Sequence, residues 1–274
     1  MNAPSGSCAL RSGVTAAAER AQDAGSVRLE VAGLTKAYKD KFAIEDIGFT
    51  VRAGEFVAVL GPSGAGKTTL FRCMTGLLTP DRGTVKLADL DVMQLHGRER
   101  RNMAVVFQQF NLVSRLSALA NVLAGRLGYV AAWRGWMRRF ERSDRLLALD
   151  CLDRVGLIEK AGQRADTLSG GEQQRVAIAR ALAQQPDAIV ADEPVASLDP
   201  QIGSGILDLL RGICHRDGVA VVCSLHQMQF AQTYADRIVG LANGRLVVDM
   251  PAASFDTATA AQLYGGAELR SMLV

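Results

Sequence analysis

The chain has 274 residues, enough for one large α/β domain or two smaller ones with a full hydrophobic core. Hydrophobic residues make up 49% of it and charged residues 22%, which excludes wholesale disorder, collagen-like repeats and coiled-coil rods. The 31 basic and 28 acidic side chains leave a net charge of +3. This charge is too mild for a dedicated nucleic-acid binder, so no nucleic-acid partner is expected.

Three features of the sequence bear on its cellular location and domain boundaries: the cysteines, the apolar runs and the N-terminal segment. The five cysteines are widely spaced and form no C-x-x-C pair, which argues against a disulfide framework or a zinc site and favours a reducing cytosol. The longest apolar runs are far shorter than the roughly 20 residues of a membrane-spanning helix. Residues 1–26 are rich in Ala, Ser and Gly without an apolar core, so we predict a mobile tail followed by one domain over residues 27–274.

From residue 27 onward, short β-prone runs alternate with longer helical patterns, which predicts an α/β fold around a mostly parallel core sheet. Three early runs separated by turn signals predict an antiparallel β-layer that leads into this sheet: residues 27–32, 44–51 and 55–60. The predicted core strands are residues 84–87, 103–107, 188–191 and 219–224.

The second half of the pattern contains a helical region and a hairpin. Strand signals vanish between residues 118 and 167, so a helical subdomain is predicted at about residues 113–170. Near the end of the chain, Asn243 and Gly244 suit the positive φ angles of a type I′ turn. They join predicted strands at residues 237–242 and 245–249.

Residues 61–68 read G-P-S-G-A-G-K-T and match G-x-x-x-x-G-K-[ST] between a predicted strand and a helix that begins near Thr69. Glycines let backbone N–H groups approach a polyphosphate, and a helix N-terminus adds about half a positive charge. We therefore expect ATP here, with Lys67 on the β- and γ-phosphates and the Thr68 hydroxyl on Mg²⁺. The predicted nucleotide contacts are Gly61, Pro62, Ser63, Gly64, Ala65, Gly66, Lys67, Thr68 and Thr69.

An apolar strand at residues 188–191 ends in two carboxylates, Asp192 and Glu193. An Asp-Glu pair by itself is more often a solvated turn, but a phosphate-binding loop requires an acidic partner for its metal. Neighbouring side chains diverge on a strand, so the pair can divide its work. We expect Asp192 to bind the metal and Glu193 to act as the general base on the attacking water.

The sequence L-S-G-G-E-Q-Q-R at residues 168–175 precedes an amphipathic helix predicted at residues 176–184. Between the two nucleotide motifs, this octapeptide resembles the signature of ABC ATPases, which are P-loop NTPases with a RecA-like core. The resemblance covers about residues 27–265. It implies that Tyr38 stacks on adenine, that Gln108 is the Q-loop glutamine near the metal, that Asp199 belongs to the D-loop and that His226 is the switch histidine.

In that family two cassettes dimerise head to tail, with each ATP held between the P-loop of one chain and the signature of the other. The resemblance therefore implies a second copy of the chain as a partner. It also implies that Ser169, Gly170, Gly171 and Asp199 contact the nucleotide. The catalytic groups expected on the same basis are Lys67, Gln108, Glu193 and His226.

A single cassette without the long coiled coil of repair ATPases resembles the ATPase subunit of a bacterial transporter. Four segments resemble the ATP-binding subunit of phosphonate importers: residues 107–113, 121–129, 133–134 and 191–200. This resemblance implies integral-membrane permease subunits, a periplasmic or lipid-anchored phosphonate-binding protein, and a peripheral location on the cytoplasmic face of the inner membrane.

Other assignments stay open. An importer of another oxyanion (phosphite or a phosphate ester) or of an amino acid fits the same motifs, and so does an ABC ATPase that serves no transporter. Trp133, Trp136 and the arginines around them form either a partner surface or an ordinary amphipathic face. The arginines are Arg134, Arg138 and Arg139.

Overall fold

The computed structural model describes residues 25–39, 41–97, 99–130 and 139–264. Within these ranges, ten strands form two sheets with helices packed around them. The predicted tail, apart from residues 25 and 26, lies outside the described residues, as do Trp133, Arg134, Trp136 and Arg138. The predicted boundaries of the tail, the single domain and the helical subdomain therefore stay predictions.

The smaller sheet is antiparallel and has the order β2-β1-β4-β5. Its strands are β1 (Val27–Tyr38), β2 (Lys41–Arg52), β4 (Arg82–Leu87) and β5 (Leu90–Asp91). Strand β4 was predicted in the core sheet, and this prediction is wrong because β4 pairs antiparallel with β1, with Val85 opposite Val31. Only one face of β4 is buried, as is usual for a strand of an antiparallel layer.

The larger sheet forms the core and has the order β10-β9-β3-β8-β7-β6. Its strands are β3 (Phe56–Leu60), β6 (Met103–Phe107), β7 (Ala188–Asp192), β8 (Ala220–Ser224), β9 (Arg237–Ala242) and β10 (Arg245–Pro251). All pairs are parallel except β9 with β10. The early run at residues 55–60 therefore does not extend the antiparallel layer. Every residue of β3 is buried, so this strand lies mid-sheet with both faces covered.

Seven α-helices lie in the described ranges: α1 (Lys67–Met74), α2 (Ala118–Ala124), α3 (Arg142–Arg154), α4 (Gly170–Ala183), α5 (Pro200–Asp217), α6 (Met228–Tyr234) and α7 (Thr257–Tyr264). Helix α4 starts six residues before the predicted start. The cause is a capping box, in which the Ser169 hydroxyl accepts from Glu172 N and the Glu172 carboxylate accepts from Ser169 N. None of these helices is long and apolar enough to cross a membrane.

The helices α2, α3 and α4 pack together on one side of the core. Two residues of segment 121–129, one of the segments that resemble the subunit of phosphonate importers, are buried there. Asn121 holds Val113 by side-chain hydrogen bonds to its N–H and carbonyl groups, and Arg126 pairs with Asp144 at 2.8 Å. These side chains stabilise the helical region and do not form an exposed docking face.

The hairpin between β9 and β10 has the predicted turn. Asn243 has φ 50° and Gly244 has φ 77°, which are the positive angles that a type I′ turn needs. Gly244 N donates to Ala65 O at 3.2 Å, and Gly244 O accepts from Glu45 N at 2.7 Å. The turn therefore connects the phosphate loop with strand β2.

The cysteines at positions 73, 151, 214 and 223 are free and buried, in agreement with the expectation of no disulfide among them.

Candidate nucleotide-binding site

The phosphate-binding loop runs from the end of β3 to the start of α1, which begins at Lys67. The Lys67 side chain folds back over the loop, and its Nζ donates to Gly61 O at 2.5 Å and to Pro62 O at 3.2 Å. The ammonium group therefore lies directly at the N-terminus of a helix whose first N–H groups have no partner within the helix. This arrangement of amides and one cation is a ready anion site.

Two glycines of the loop allow the backbone to pass close to other strands. Gly66 has φ 102°, and a Cβ atom there would lie 2.3 Å from Ala43 O. A Cβ atom on Gly61 would lie 2.3 Å from Leu241 O. Only glycine fits either position without moving a neighbouring backbone. The loop is thus held between β2 and β9.

Lys67 carries a buried positive charge. Burial lowers the pKa of its ammonium below the ordinary value, and the charges of Glu193 and Asp192 oppose this shift. A bound phosphate would add negative charge directly beside this ammonium.

Strand β7 delivers the two predicted acidic residues to the same region. Asp192 Oδ1 accepts a hydrogen bond from Ser224 Oγ at 3.0 Å, and Glu193 N donates to the same Ser224 Oγ at 2.7 Å. Burial raises the pKa of the Asp192 carboxyl above its ordinary range, while the hydrogen bond from Ser224 lowers it. The carboxylate is therefore held in place by a neutral donor and is free to accept a cation.

His226 lies two residues after β8 and contacts the second carboxylate. Its Nε2 lies 2.6 Å from Glu193 Oε1. Glu193 itself has φ 49°, a left-handed conformation that is uncommon for residues other than glycine. The parallel pairing of β7 with β8 brings Glu193 and His226 together, because the carboxyl ends of parallel strands share one edge of a sheet.

These elements surround a pocket of about 620 Å³. The predicted residues that line it are Tyr38, Ser63, Gly64, Ala65, Gly66, Lys67, Thr68, Thr69, Glu193 and His226. Gly61 and Pro62 support it through the carbonyl groups that hold Lys67. The Tyr38 side chain is half exposed at the mouth, which leaves a ring face available for stacking.

Sequence reasoning did not assign five further residues of the pocket: Lys41, Phe42, Ala43, Asn243 and Gly244. The first three begin strand β2 and carry no motif. The Asn-Gly pair was predicted as a turn, but nothing in its sequence indicates that the turn reaches the phosphate loop. Ser224 was missed as well, because a serine inside an apolar strand has no local signal of a role.

Gln108 lines a second groove of about 400 Å³, together with Phe110, Gln173 and Ser197. Its side chain therefore does not line the pocket that holds Lys67. The backbone after it is held by α4, because Arg180 donates to Asn111 O at 2.6 Å and to Phe110 O at 3.1 Å. The groove lies where the segment after β6, the start of α4 and the residues after β7 meet.

The signature residues also lie outside the pocket. Ser169 is exposed at the start of α4, and Gly170 and Gly171 form the first turn of that helix. Lys160 pairs with Glu172, and this contact, with the N–H of Ser169, lowers the pKa of the Glu172 carboxyl. Asp199 caps α5 by accepting from Gln201 N at 2.9 Å. One copy of the chain thus presents the two predicted halves of the site at separate places.

Comparison with known proteins identifies the family of this chain. The model of the ABC transporter family matches residues 44–196, which contain the phosphate loop, the signature and the acidic pair. The chain belongs to the ABC transporter family. A phosphonates import ATP-binding protein, PhnC, of Rhodopseudomonas palustris (strain BisB5) is 47% identical over 240 residues, covering 86% of this chain and 89% of that protein.

A second relative of this cassette is a hypophosphite import ATP-binding protein, HtxD, of Stutzerimonas stutzeri. It is 46% identical over 242 residues, covering 87% of this chain and 71% of the relative. Among solved structures, the ATP-binding cassette MJ0796 in a dimeric post-hydrolysis state with ADP and phosphate is 33% identical. It superposes with a TM-score of 0.71 and covers 83% of this cassette and 100% of that chain.

Proposed function

We propose that the chain is the ATP-binding and ATP-hydrolysing subunit that energises a phosphonate importer. One observation carries the proposal: the pocket that contains Lys67 also contains Glu193 and His226, in a chain 47% identical to a phosphonates import ATP-binding protein. A carboxylate that can orient water, held by a histidine beside a phosphate cradle, is an arrangement suited to hydrolysis of a nucleoside triphosphate.

The residues of the pocket would divide the chemistry among them. Lys67 and the N–H groups of the phosphate loop bind and orient the β- and γ-phosphates, and Tyr38 stacks on the adenine. Glu193 accepts the proton of the attacking water, and His226 fixes the Glu193 carboxylate and then the γ-phosphate. Gln108 would enter this site when the groove that it lines closes toward the pocket.

The residues present fit Mg²⁺. Thr68 lines the pocket, Asp192 ends β7 next to Glu193, and both side chains offer the hard oxygen ligands that Mg²⁺ prefers. Thr68, Asp192 and the Gln108 side chain are the residues that would hold the ion. When bound, Mg²⁺ neutralises negative charge on the phosphate oxygens.

We infer that two copies act together. Ser169, Gly170 and Gly171 form the start of helix α4, and Ser169 is exposed and absent from the pocket of its own chain. A second copy related by a two-fold axis would bring this helix start onto the γ-phosphate, with Asp199 at the junction. ATP would then join the two copies, and hydrolysis would separate them.

The remaining partners follow from the importer role. Permease subunits in the inner membrane would hold the dimer on the cytoplasmic face of that membrane. A periplasmic or lipid-anchored binding protein would deliver the phosphonate on the other side. Phosphonate itself does not contact the cassette in this scheme. The identity of the transported molecule therefore depends on the permease and the binding protein.

A second substrate has a specific observation in its favour, because the hypophosphite relative is 46% identical over nearly the same length. We propose to measure uptake of a labelled alkylphosphonate by cells that carry the complete operon with either the wild-type cassette or Lys67→Ala. Uptake should require Lys67, and excess unlabelled phosphonate should compete better than excess hypophosphite. Equal uptake with both cassettes would refute the transport role, and stronger competition by hypophosphite would reassign the substrate.

A further inference from the structure

Ser224 is the last residue of β8 and is fully buried. Its hydroxyl makes two hydrogen bonds in opposite senses. It accepts from Glu193 N at 2.7 Å and donates to Asp192 Oδ1 at 3.0 Å. The partners are the last residue of β7 and the residue that follows it, so one hydroxyl on β8 contacts the two residues to which the proposed chemistry assigns the metal and the water.

The partners allow only a few side chains at this position. An ionised carboxylate only accepts hydrogen bonds, and a backbone N–H only donates them. A group between Asp192 and Glu193 N must therefore donate on one side and accept on the other. Among small side chains, a hydroxyl does both at this distance, whereas an alanine does neither and a thiol does so weakly.

The backbone conformation of Glu193 makes the hydrogen bond from its N–H group to Ser224 Oγ important. With φ 49°, Glu193 occupies the left-handed region, which is unfavourable for a residue other than glycine. Such a conformation persists where the surroundings hold it, and Ser224 Oγ is the acceptor for the N–H of this residue. The Glu193 carboxylate in turn lies 2.6 Å from His226 Nε2. Rotation of this peptide would move the carboxylate away from the histidine.

We propose that Ser224 is a positioning residue that sets the Asp192 carboxylate for the metal and the Glu193 carboxylate for the water through one hydroxyl group. The inference rests on the proposed ATP hydrolysis, because it assigns a cause to the geometry of that site. Ser224 does not touch the reacting atoms. It acts through the two carboxylates, and its loss should reduce turnover much more than it reduces nucleotide binding.

The test compares Ser224→Ala with Ser224→Thr, which keeps the hydroxyl. The matched control is Cys223→Ala, a buried truncation at the preceding position of the same strand, where the side chain points to the opposite face of the sheet. For each variant we would measure kcat and KM for ATP, the Kd for ATP in EDTA, and Mn²⁺ binding by EPR in the presence of ADP. Circular dichroism would check that each variant is folded.

We expect Ser224→Ala to lower kcat by about 10- to 100-fold and to weaken Mn²⁺ binding by a similar factor, as is common when a group that orients a metal ligand is lost. The Kd for ATP in EDTA should stay within about twofold of wild type, since Lys67 and the phosphate loop are untouched. Ser224→Thr should recover most of the turnover. Cys223→Ala should keep kcat while it lowers the free energy of unfolding.

Several results would overturn the inference. They are a kcat for Ser224→Ala within twofold of wild type, unchanged Mn²⁺ binding, or a loss of kcat in Cys223→Ala equal to that in Ser224→Ala. A Ser224→Ala protein that does not fold, beside a folded Ser224→Thr protein that is inactive, would also contradict it. Failure of the proposed function is distinguishable, because then the wild-type protein itself does not hydrolyse ATP.

Discussion

The phosphate loop depends on Gly66 for steric reasons that one substitution can test. Gly66 combines φ 102° with a virtual Cβ position 2.3 Å from Ala43 O. We predict that Gly66→Ala displaces the loop and weakens ATP binding by at least about 100-fold, because both the backbone angle and the contact must change. Nucleotide titration by fluorescence would measure the loss.

The matched control for this substitution is Gly162→Ala. Gly162 has no atom of another residue within 4 Å of its virtual Cβ position and no positive φ angle. The added methyl group should change neither ATP affinity nor the free energy of unfolding by more than about 0.5 kcal/mol. Unimpaired ATP binding by Gly66→Ala would show that the loop tolerates a side chain at this point.

Lys67 gives a prediction about stability. Because burial lowers its pKa, the unfolded chain binds this proton more tightly than the folded chain. This group therefore destabilises the nucleotide-free fold at neutral pH, and its cost falls as the pH rises toward the ordinary lysine value. We predict that Lys67→Met, which keeps the length and removes the charge, has a Tm equal to or above that of wild type without nucleotide.

The same variant should lose the response to ligand. Saturating ATP should raise the Tm of wild type, since a ligand that binds the folded state alone stabilises it. It should leave the Tm of Lys67→Met unchanged, as measured by differential scanning calorimetry in EDTA. A Tm well below wild type for Lys67→Met without nucleotide would mean that the two carbonyl hydrogen bonds outweigh the cost of burial.

At the scale of elements, the helical region is joined to the core by a stack of three side chains. The Tyr129 ring lies between two guanidinium groups, that of Arg126 at 3.5 Å and that of Arg101 at 3.8 Å from its centroid. Its hydroxyl donates to Gln184 O at 2.6 Å. Arg101 lies two residues before β6, the strand that ends beside Gln108. The stack therefore links the ends of α2 and α4 to the strand that leads to Gln108.

The ion pair between Arg126 and Asp144 gives a prediction about the free energy of unfolding. Arg126 pairs with Asp144 of α3 and also donates to Ala183 O at 3.0 Å, and both charged side chains are about nine-tenths buried. Asp144→Ala leaves a buried guanidinium without its counter-charge, so we expect a loss of about 3 kcal/mol in the free energy of unfolding. Asp150→Ala on the exposed face of the same helix should change it by less than about 0.5 kcal/mol. Urea denaturation of both variants would measure the difference, and equal values would assign the pair no structural role.

The sequence predicted most strands because their apolar runs are continuous and bounded by turn residues, as in β7 and β8. It could not decide which sheet β4 belongs to, because its partner β1 lies some fifty positions away and pairing leaves no local trace. The motif residues are recognisable because a phosphate cradle needs particular glycines and one lysine at fixed spacing. Ser224 and Phe42 reach the site only through tertiary contacts, and a local sequence pattern does not reveal such contacts.

At the scale of the whole molecule, the separation of Ser169 from the Lys67 pocket leads to a prediction about assembly. Glu193→Gln keeps the shape of the site and removes the proposed base, so it should bind ATP and lose turnover by at least about 100-fold. With ATP and Mg²⁺ we expect this variant to elute as a dimer in size-exclusion chromatography, whereas the same protein with ADP elutes as a monomer.

A second substitution makes this test specific to the signature. Adding Ser169→Asp to Glu193→Gln keeps a side chain that caps helices well, so α4 should stay intact. Its carboxylate would face the γ-phosphate of the opposing copy and repel it. The double variant should therefore bind ATP through its own Lys67 pocket but stay monomeric. Dimerisation of the double variant would place the interface elsewhere on the surface.

The contact between Gly244 and Ala65 also has a consequence for biogenesis. The phosphate loop lies in the first quarter of the chain, whereas the hairpin that braces it comes near the end. During translation the loop leaves the ribosome long before residues 243 and 244 are made. A growing chain can therefore bind nucleotide productively only late in translation. A polypeptide that ends before Asn243 would have a phosphate loop without the hydrogen bond from Gly244 N to Ala65 O.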